Sequence, residues 1–540
     1  MHVASAPAWL EQQRGGAPLL LLAPHGGRRR ARREPGRHKV NDLHTAALTR
    51  ELARACDATS LVNATRDRNE LDLNRLSQVR AHAPWLPALL ATLLEEMVAR
   101  AGRATVLVVH GWNVVQPACD VGIGMVEGPE GAAPVRPGSA TVSPVFLRER
   151  LPRLRALVAP AGVAVTIGAR YPAAHPNNLL QIFTAAAAAD PDPAIRRIGA
   201  LAAAGTIDAA QLELGIPLRW PGPLRDAFLA GLAATFGSGS PGAGAAPAAG
   251  SALAGGGRGV SHCTWQLATD DLVVLSSIDA AAEGGVAGRL LLCPRPGELA
   301  LFTGELAARG DGAWHVPPLR YEGGGDGAWQ LAFRGPLLSF PTLTPFLDLE
   351  NGLARGRLIE GAVALAFEPL HAPGAAPPCA GRFGRVRGRV ALDGWTRAID
   401  DVAVLGAAAL AGARRLPSLR VTLPDSAHGH LALASSAAEP AGTGTRFTLA
   451  GHACAPDHVT VGGTAHVVLG REDGSVALTL ATPGAPATRL EATLDRVIPI
   501  RRPGRAGTVI RTAYARCRIA GRTAGWIELT TEHPLASPVS

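Results

Sequence analysis

The chain has 540 residues, of which 47% are hydrophobic and 4% aromatic, and its formal net charge is +9. That length exceeds one ordinary core and predicts two or three domains, while the hydrophobic content excludes global disorder. Lys39 is the only lysine, the charge is scattered arginine, and no aromatic-interleaved basic stripe occurs, so the charge reads as composition bias and no nucleic-acid partner is expected.

The seven cysteines, at 56, 119, 263, 293, 379, 454 and 517, are dispersed and form no CxxC pair. They read as reduced thiols of a cytoplasmic protein. Residues 1–16 are polar, with no basic segment leading into a signal core, and Leu19 to Leu22 is too short to cross a bilayer. No membrane span is expected.

In chain order, Pro18 to Ala23 is an apolar run of strand length that stops at Pro24, His25, Gly26 and Gly27. Such a strand end puts the His25 imidazole at the carboxyl edge of a sheet, where open α/β sheets place ligands. Arg28 to Lys39 is an arginine-rich run, read as a solvated loop or as a rim that attracts acidic substrates. Asn41-Asp42 opens a helix carrying Leu43, Ala46, Ala47, Leu48 and Leu52, with Asp42 at its first turn and one short loop from His25. Ser60 to Asn63 is a short strand. The polar run Arg66 to Arg75 follows it directly, so it should line the sheet edge rather than form helical i,i+4 pairs.

Leu76 to Arg100 predicts one long amphipathic helix, broken or bent near Pro84 and Pro87. Ala104 to Val109 is the clearest buried strand and ends in His110-Gly111-Trp112-Asn113. Residues 117–143 are rich in Gly and Pro and predict an active-site loop. A helix over Pro144 to Val158, a strand over Gly162 to Ile167, a polar loop over Gly168 to Asn178 and a helix over Ala194 to Ala204 follow. The strand Ile207 to Leu214 carries Glu213, and a buried glutamate needs a partner or a metal. Trp220 to Phe236 closes the domain with a helix.

Residues 1–236 thus predict an α/β domain with a mostly parallel sheet and helices on both faces. Residues 237–258 are a flexible Gly/Ala/Pro linker by composition. Residues 259–540 consist of short alternating runs bounded by Gly, Pro and Asp, an all-β barrel or sandwich region, either one large domain or two barrels.

Two histidines and a carboxylate at strand ends are the ligand types of a hydrolytic zinc site, with three protein ligands and one position for water. His25 and His110 are the first two, and the third is Asp42, with Glu34 or His44 as alternatives. A nearby carboxylate takes the proton of the water and passes it to the leaving nitrogen. An Arg beside an Asn, as in Asn74-Arg75, offers donors to a substrate carboxylate or an oxyanion. The structural alternatives are satisfied loop histidines at 25 and 110, a helix cap at Asp42, an arginine partner at Glu213 and a strand-end salt-bridge cluster at Asn74-Arg75. His38, His44, His82 and His175 read as surface residues.

Residues 17–220 resemble the N-formylglutamate amidohydrolase family, which is similar in fold to zinc carboxypeptidases and to the aspartoacylase and succinylglutamate desuccinylase group. Pro24-His25-Gly26-Gly27 stands for its Pro-His-Ser-Gly motif and Asn41-Asp42 for its acidic residue. Arg68 with Asp72-Leu73-Asn74-Arg75 stands for its Arg…Asp-Leu-Asn-Arg motif, Val109-His110-Gly111 for its second histidine, and Gln211-Leu212-Glu213 for its Gln-x-Glu strand. Gly26 replaces a Ser, Gly111 replaces a Ser, and Asn177-Asn178-Leu179-Leu180-Gln181 lacks an expected Gly-Gly. The resemblance implies a zinc-dependent amidohydrolase or deacylase whose small-molecule substrate is an N-acyl amino acid. It implies metal ligands His25, Asp42 and His110, catalytic Glu213 and Arg75, and substrate-binding Arg68, Asn74, Arg75 and Asn177. The departures leave the acyl group open, including a carboxypeptidase-type activity. Residues 381–406 resemble the lipocalin-like double barrels of carotenoid hydratase-type proteins, which implies an apolar ligand in the β-rich half. The alternative from another class is a non-catalytic protein that binds a ligand or partner through the β-rich domain beside a degenerate hydrolase domain.

Overall fold

The computed structural model describes residues 7–28, 39–128 and 130–237 of the first half. In the second half it describes the strands and some turns between residues 262 and 534, with side chains up to residue 403. The predicted linker at 237–258, apart from Gly237, lies outside the described residues, as do Glu34 and His38. The described residues of the first half form one compact unit and those of the second half another.

In chain order the first unit comprises β1 (Leu10–Gln13), β2 (Leu19–Ala23), α1 (Thr45–Cys56), β3 (Thr59–Asn63), α2 (Leu76–His82), α3 (Trp85–Ala101) and β4 (Ala104–Gly111). It continues with β5 (Ala118–Gly122), β6 (Met125–Gly128), β7 (Gly131–Pro134), α4 (Leu151–Val158), β8 (Ala164–Ile167), α5 (Pro193–Ala203), β9 (Ile207–Leu214) and α6 (Pro223–Phe236). Seven strands form one mixed sheet in the order β1-β3-β2-β4-β9-β5-β8. The central four, β3, β2, β4 and β9, are parallel, so their carboxyl ends share one edge. After β2 the chain adds β3 on one side and β4 on the other. The crevice between β2 and β4 is therefore a topological switch point, the place such sheets offer to ligands. The flanks break the parallel pattern, with β1 and β5 antiparallel to their inner neighbours.

Alternation along the strands separates two cores. Leu20, Leu22, Val106, Val108 and Ala209 pack with residues of α2, α3 and α5. Leu19, Leu21, Leu107, Val109 and Leu212 pack with residues of α1, α4 and α6. Helices cover both faces, as the sequence predicts.

The predicted break in the helix over 76–100 falls at Ala83-Pro84, where two helices part because Pro84 cannot donate to a preceding turn, and two other local expectations change. Pro87 lies in the first turn of α3, where its missing N–H is no loss. Residues 117–143 are not a loop: β5 is fully buried and pairs with β9, and β6 and β7 form a hairpin. Helix α1 starts at Thr45 rather than at Asp42, since His44 adopts a left-handed backbone with φ 67°.

The second unit is antiparallel. Its first sheet contains β10 (His262–Ala268), β11 (Val273–Ala280), β12 (Val286–Cys293), β13 (Leu299–Glu305), β14 (Arg309–Gly310), β15 (Ala313–Val316), β16 (Leu319–Gly323), β17 (Trp329–Phe340), β18 (Arg357–Pro369), β19 (Arg382–Leu392) and β20 (Trp395–Ala408). Pairing of β10 with β20 and of β13 with β17 closes eight of these strands into a ring, leaving β14 to β16 as an appended meander. Buried Leu331 and Phe333 alternate with exposed Gln330 and Arg334, the period expected when one sheet face is solvated. Between Ser418 and Pro534 a second nine-stranded sheet closes in the same way, with only Ala438–Ala441 outside its ring. Among the described residues no helix is long and apolar enough to cross a membrane.

Candidate metal centre

The site is built on the strand ends at the switch point. β2 terminates at Ala23, and the buried Asn63 side chain at the end of β3 fastens the turn that follows. Its Nδ2 donates to the Pro24 and Arg66 carbonyls at 2.8 and 3.0 Å. Gly27 lies so close to this segment that a Cβ there would fall 2.0 Å from the Arg66 carbonyl oxygen. The glycine motif is thus a requirement of close backbone approach, and it delivers His25 to a fully buried position.

His25 Nδ1 lies 3.2 Å from Asp42 Oδ2, and His110 Nδ1 lies 3.1 Å from the same oxygen. The two rings meet edge to face with centroids 4.8 Å apart. Asp42 does not cap α1. Its backbone N–H donates to the His25 carbonyl at 2.9 Å, and its Oδ1 accepts from Arg68 Nη1 at 2.9 Å. Burial opposes charge on Asp42, but the His25 imidazole and the Arg68 guanidinium outweigh it and hold the carboxyl well below the usual carboxylate range. On the far side of His25, Nε2 lies 2.7 Å from Asp72 Oδ1. Asp72 also accepts the Asn74 N–H at 3.1 Å and faces Arg75 Nε at 3.4 Å and Lys39 Nζ at 3.5 Å. Burial is again overcome there, by His25 first, and the Asp72 carboxyl is held down.

Glu213 is in register with His110 across the β4–β9 pair, so both side chains leave the same face of the sheet. It is buried, and among the described residues its carboxylate makes no ion pair; Oε1 accepts from Gln211 Nε2 at 2.8 Å. Burial pushes its pKa up, the nearby Asp42 charge adds to this, and His110 and Arg68 oppose it. An amide chain continues outward: Gln211 Oε1 accepts from Asn74 Nδ2 at 3.3 Å and from Asn178 Nδ2 at 3.2 Å.

The donor set fits a metal ion. The ligand atoms of His25, Asp42 and His110 all lie within 4.8 Å of one another. A tetrahedral ion with bonds of about 2.0–2.2 Å sets its ligands about 3.3–3.5 Å apart, near the two N···O separations seen. Both nitrogens of His25 face carboxylate oxygens, so without a cation both must be protonated for the two contacts to be hydrogen bonds. A cation at Nδ1 removes that demand and leaves Nε2–H for Asp72, the outer-shell arrangement of metal-ligating histidines. His110 Nε2 is buried with no hydrogen-bond partner among the described residues.

The other expected residues fall as follows. Arg68 is mostly buried and committed to Asp42, which makes it a support of the cluster. Arg75 is half exposed at the head of α2, and Asn74 Oδ1 is buried without a partner among the described residues. Asn177 stands apart: its Oδ1 accepts the Ser77 N–H at 2.6 Å at the start of α2, and Asn178 is the residue that reaches Gln211. The His44 ring lies tilted against Trp220 with centroids 4.4 Å apart, and burial with Arg219 nearby pushes its imidazole down to about 4. It is partly buried and lies outside the His-Asp-His group. The exposed His175 accepts the Asn177 N–H, and His82 is exposed.

Two supports carried no local signal. Asp120 on β5, in register with Glu213, accepts from Thr166 Oγ1 at 2.7 Å and from the N–H groups of Ala169, Arg170 and Tyr171 at 3.0, 2.8 and 2.7 Å. It ties the 168–171 loop to the strand beside Glu213. Arg219, fully buried, donates to carbonyls on three segments of the site.

No family model and no curated protein matches the chain. Among solved structures, it is similar to the N-formylglutamate amidohydrolase from Ralstonia eutropha JMP134, with 15% identity over 43% of this chain and 96% of that one, and a TM-score of 0.28. It is also similar to a structure assigned as AttH from Nitrosomonas europaea, with 12% identity over 50% of this chain and 91% of that one, and a TM-score of 0.27. At these values the functional reading rests on the site geometry alone.

Proposed function

We propose that the α/β domain is a zinc-dependent amidohydrolase that cleaves the amide of an N-acyl amino acid. The observation that carries the reading is the placement of Glu213. A buried carboxylate without an ion-pair partner among the described residues stands in register with one imidazole of a His-Asp-His group. Leaving such a charge unpaired is costly to a fold, whereas a general base needs it. Two imidazoles and one carboxylate form the N/O set that catalytic zinc takes with a position left open.

His25, Asp42 and His110 would hold the ion, and when bound it supplies a Lewis acid and an acidified water. Glu213 takes the proton of that water and returns it to the leaving nitrogen. Its raised pKa brings it nearer to the range where one group can do both. Gln211 fixes Glu213 Oε1, and Asn74 and Asn178 fix Gln211. The half-exposed Arg75 offers its guanidinium to the substrate carboxylate. Asn178 rather than Asn177 is the amide we assign to the substrate side.

For the β-rich half we propose lipocalin-like binding of an apolar ligand, because each sheet closes into an eight-stranded ring, a size that holds side chains or one small ligand. The free, buried thiols of Cys56 and Cys119 support a cytoplasmic setting.

The test combines metal analysis with turnover of N-formyl, N-acetyl and N-succinyl amino acids. About one zinc per chain is expected, lost in His25→Ala and His110→Ala. Glu213→Gln should keep the metal and lose about 10²–10⁴-fold in kcat. Full turnover in Glu213→Gln, or a wild-type chain that takes up no zinc, overturns the proposal.

A further inference from the structure

Arg219 is a buried cation that the proposed reaction does not use. Among the described residues it forms no ion pair with a carboxylate, although it is fully buried. Burial pulls its pKa down to about 10, against the raising influence of Asp42 and Glu213. A guanidinium in such a place requires a reason, because desolvating a charge without a close counter-ion is unfavourable.

Its hydrogen bonds supply one. Nη1 donates to the Leu43 carbonyl at 2.6 Å, 176 residues away in the chain. Nη2 donates to the Trp112 carbonyl at 3.0 Å and to Asn113 Oδ1 at 3.1 Å. Nε donates to the Leu214 carbonyl at 2.9 Å. Leu43 follows Asp42, Trp112 lies two residues beyond His110, and Leu214 follows Glu213. One planar fork therefore joins the three backbone segments that carry a metal-site carboxylate, a metal-site imidazole and the general base.

The surroundings are shaped for it. A Cβ on Gly111 would fall 2.4 Å from Arg219 Nη1, so the residue after His110 must be glycine for the guanidinium to lie against the strand. The Trp220 ring covers the guanidinium at 5.1 Å, within cation–π range. The Leu214 carbonyl that accepts from Nε also accepts the Trp112 N–H at 2.8 Å, which locks the β4 and β9 ends to each other.

We propose that Arg219 is a positioning residue that sets the spacing of Asp42, His110 and Glu213 by clamping their three backbone segments; the inference rests on the hydrolytic reading of that site. Guanidinium, with five donors in a fixed plane, serves three carbonyls at once, and a lysine ammonium does not reproduce that geometry.

The test compares Arg219→Met and Arg219→Lys with Ile198→Ala, a truncation in the opposite apolar core that lowers stability without touching the site. Zinc affinity is measured by competition with a chelating indicator, and hydrogen exchange is followed on the metal-free proteins. Arg219→Met should weaken zinc binding about 10–100-fold, the usual effect of losing an outer-shell support, with Arg219→Lys intermediate. Peptides covering residues 41–45, 110–113 and 213–216 should lose protection together in both Arg219 variants and not in Ile198→Ala. Zinc affinity in Arg219→Met no weaker than in an Ile198→Ala of matched melting temperature, or exchange confined to one segment, overturns the clamp. If Arg219→Met does not fold, wild-type affinity in Arg219→Lys overturns it. A wild-type protein that binds no zinc defeats the hydrolytic reading instead, and the exchange pattern still decides the clamp.

Discussion

His25 Nε2 and Asp72 Oδ1 are 2.7 Å apart, on the side of the imidazole opposite to Asp42. The second carboxylate thereby decides which His25 nitrogen is free for a metal ion. Asp72 is itself held by the Asn74 N–H, and its own N–H donates to Gln78 Oε1 at 2.7 Å. Asp72→Asn keeps the shape but offers a neutral group, so it orients the ring less strongly. Zinc affinity, read by competition with a chelating indicator, should fall about 10–100-fold. Unchanged affinity would mean that the contact is a packing accident.

Arg75 makes a different prediction because it is half exposed and its guanidinium stands 3.4 Å from Asp72. An ion pair that reaches solvent is worth at most about 1 kcal/mol, so Arg75→Ala should shift the melting temperature by only a few degrees. The KM for N-acyl amino acids should rise about tenfold or more while kcat changes little, as a bidentate carboxylate contact is lost. The matching N-acyl amine, which lacks the carboxylate, should show no such change. An equal loss for both compounds would remove Arg75 from substrate binding.

The switch-point histidines were legible because each ends a continuous apolar strand and precedes a glycine, a local pattern that a one-dimensional reading captures. Asp42 was legible as a candidate, but its place beside the two histidines turned on His44, whose left-handed backbone delays α1 and frees the carboxylate from capping. β5 was missed because a glycine and proline count over the whole of 117–143 hides a five-residue buried strand. Asp120 and Arg219 left no trace in the sequence pattern. Asp120 reaches 46 residues along the chain to Thr166 and Arg219 reaches 176 to Leu43, so only the assembled sheet brings them into play. Asn177 and Asn178 could not be told apart in the sequence because side chains one residue apart in a loop leave in different directions, one to the Ser77 N–H and the other to Gln211.

Gly111 links the legible motif to the hidden arginine. A methyl group added there meets the Arg219 guanidinium at 2.4 to 2.6 Å, and neither the strand backbone nor the four-bonded fork can retreat freely. Gly111→Ala should destabilise the domain by about 1–3 kcal/mol, the range for overpacked interiors. In Arg219→Met the flexible side chain can give way, so the second substitution should cost less than the first. A double-mutant cycle in denaturant should show a coupling of about 0.5 kcal/mol or more, and additive effects would break the link.

Cys56 ends α1 with its thiol buried, and burial pushes its pKa from the ordinary 9.0 up to about 11. The folded chain therefore keeps this proton over a range in which the unfolded chain has released it. The native state then binds more protons than the unfolded state, and stability must fall as pH rises between those two values. Cys56→Ala lacks this titration but carries a small cavity, so it should start out less stable than the wild type. Urea midpoints from about pH 8 to about pH 10.5 should converge, with the wild type losing its advantage as the pH climbs. Over the same range, iodoacetamide should label Cys56 slowly in the folded protein and rapidly in urea, since the thiolate is the reactive form. Parallel midpoint curves for the two proteins, or rapid native labelling near pH 8, would show that the thiol is not shielded by the core.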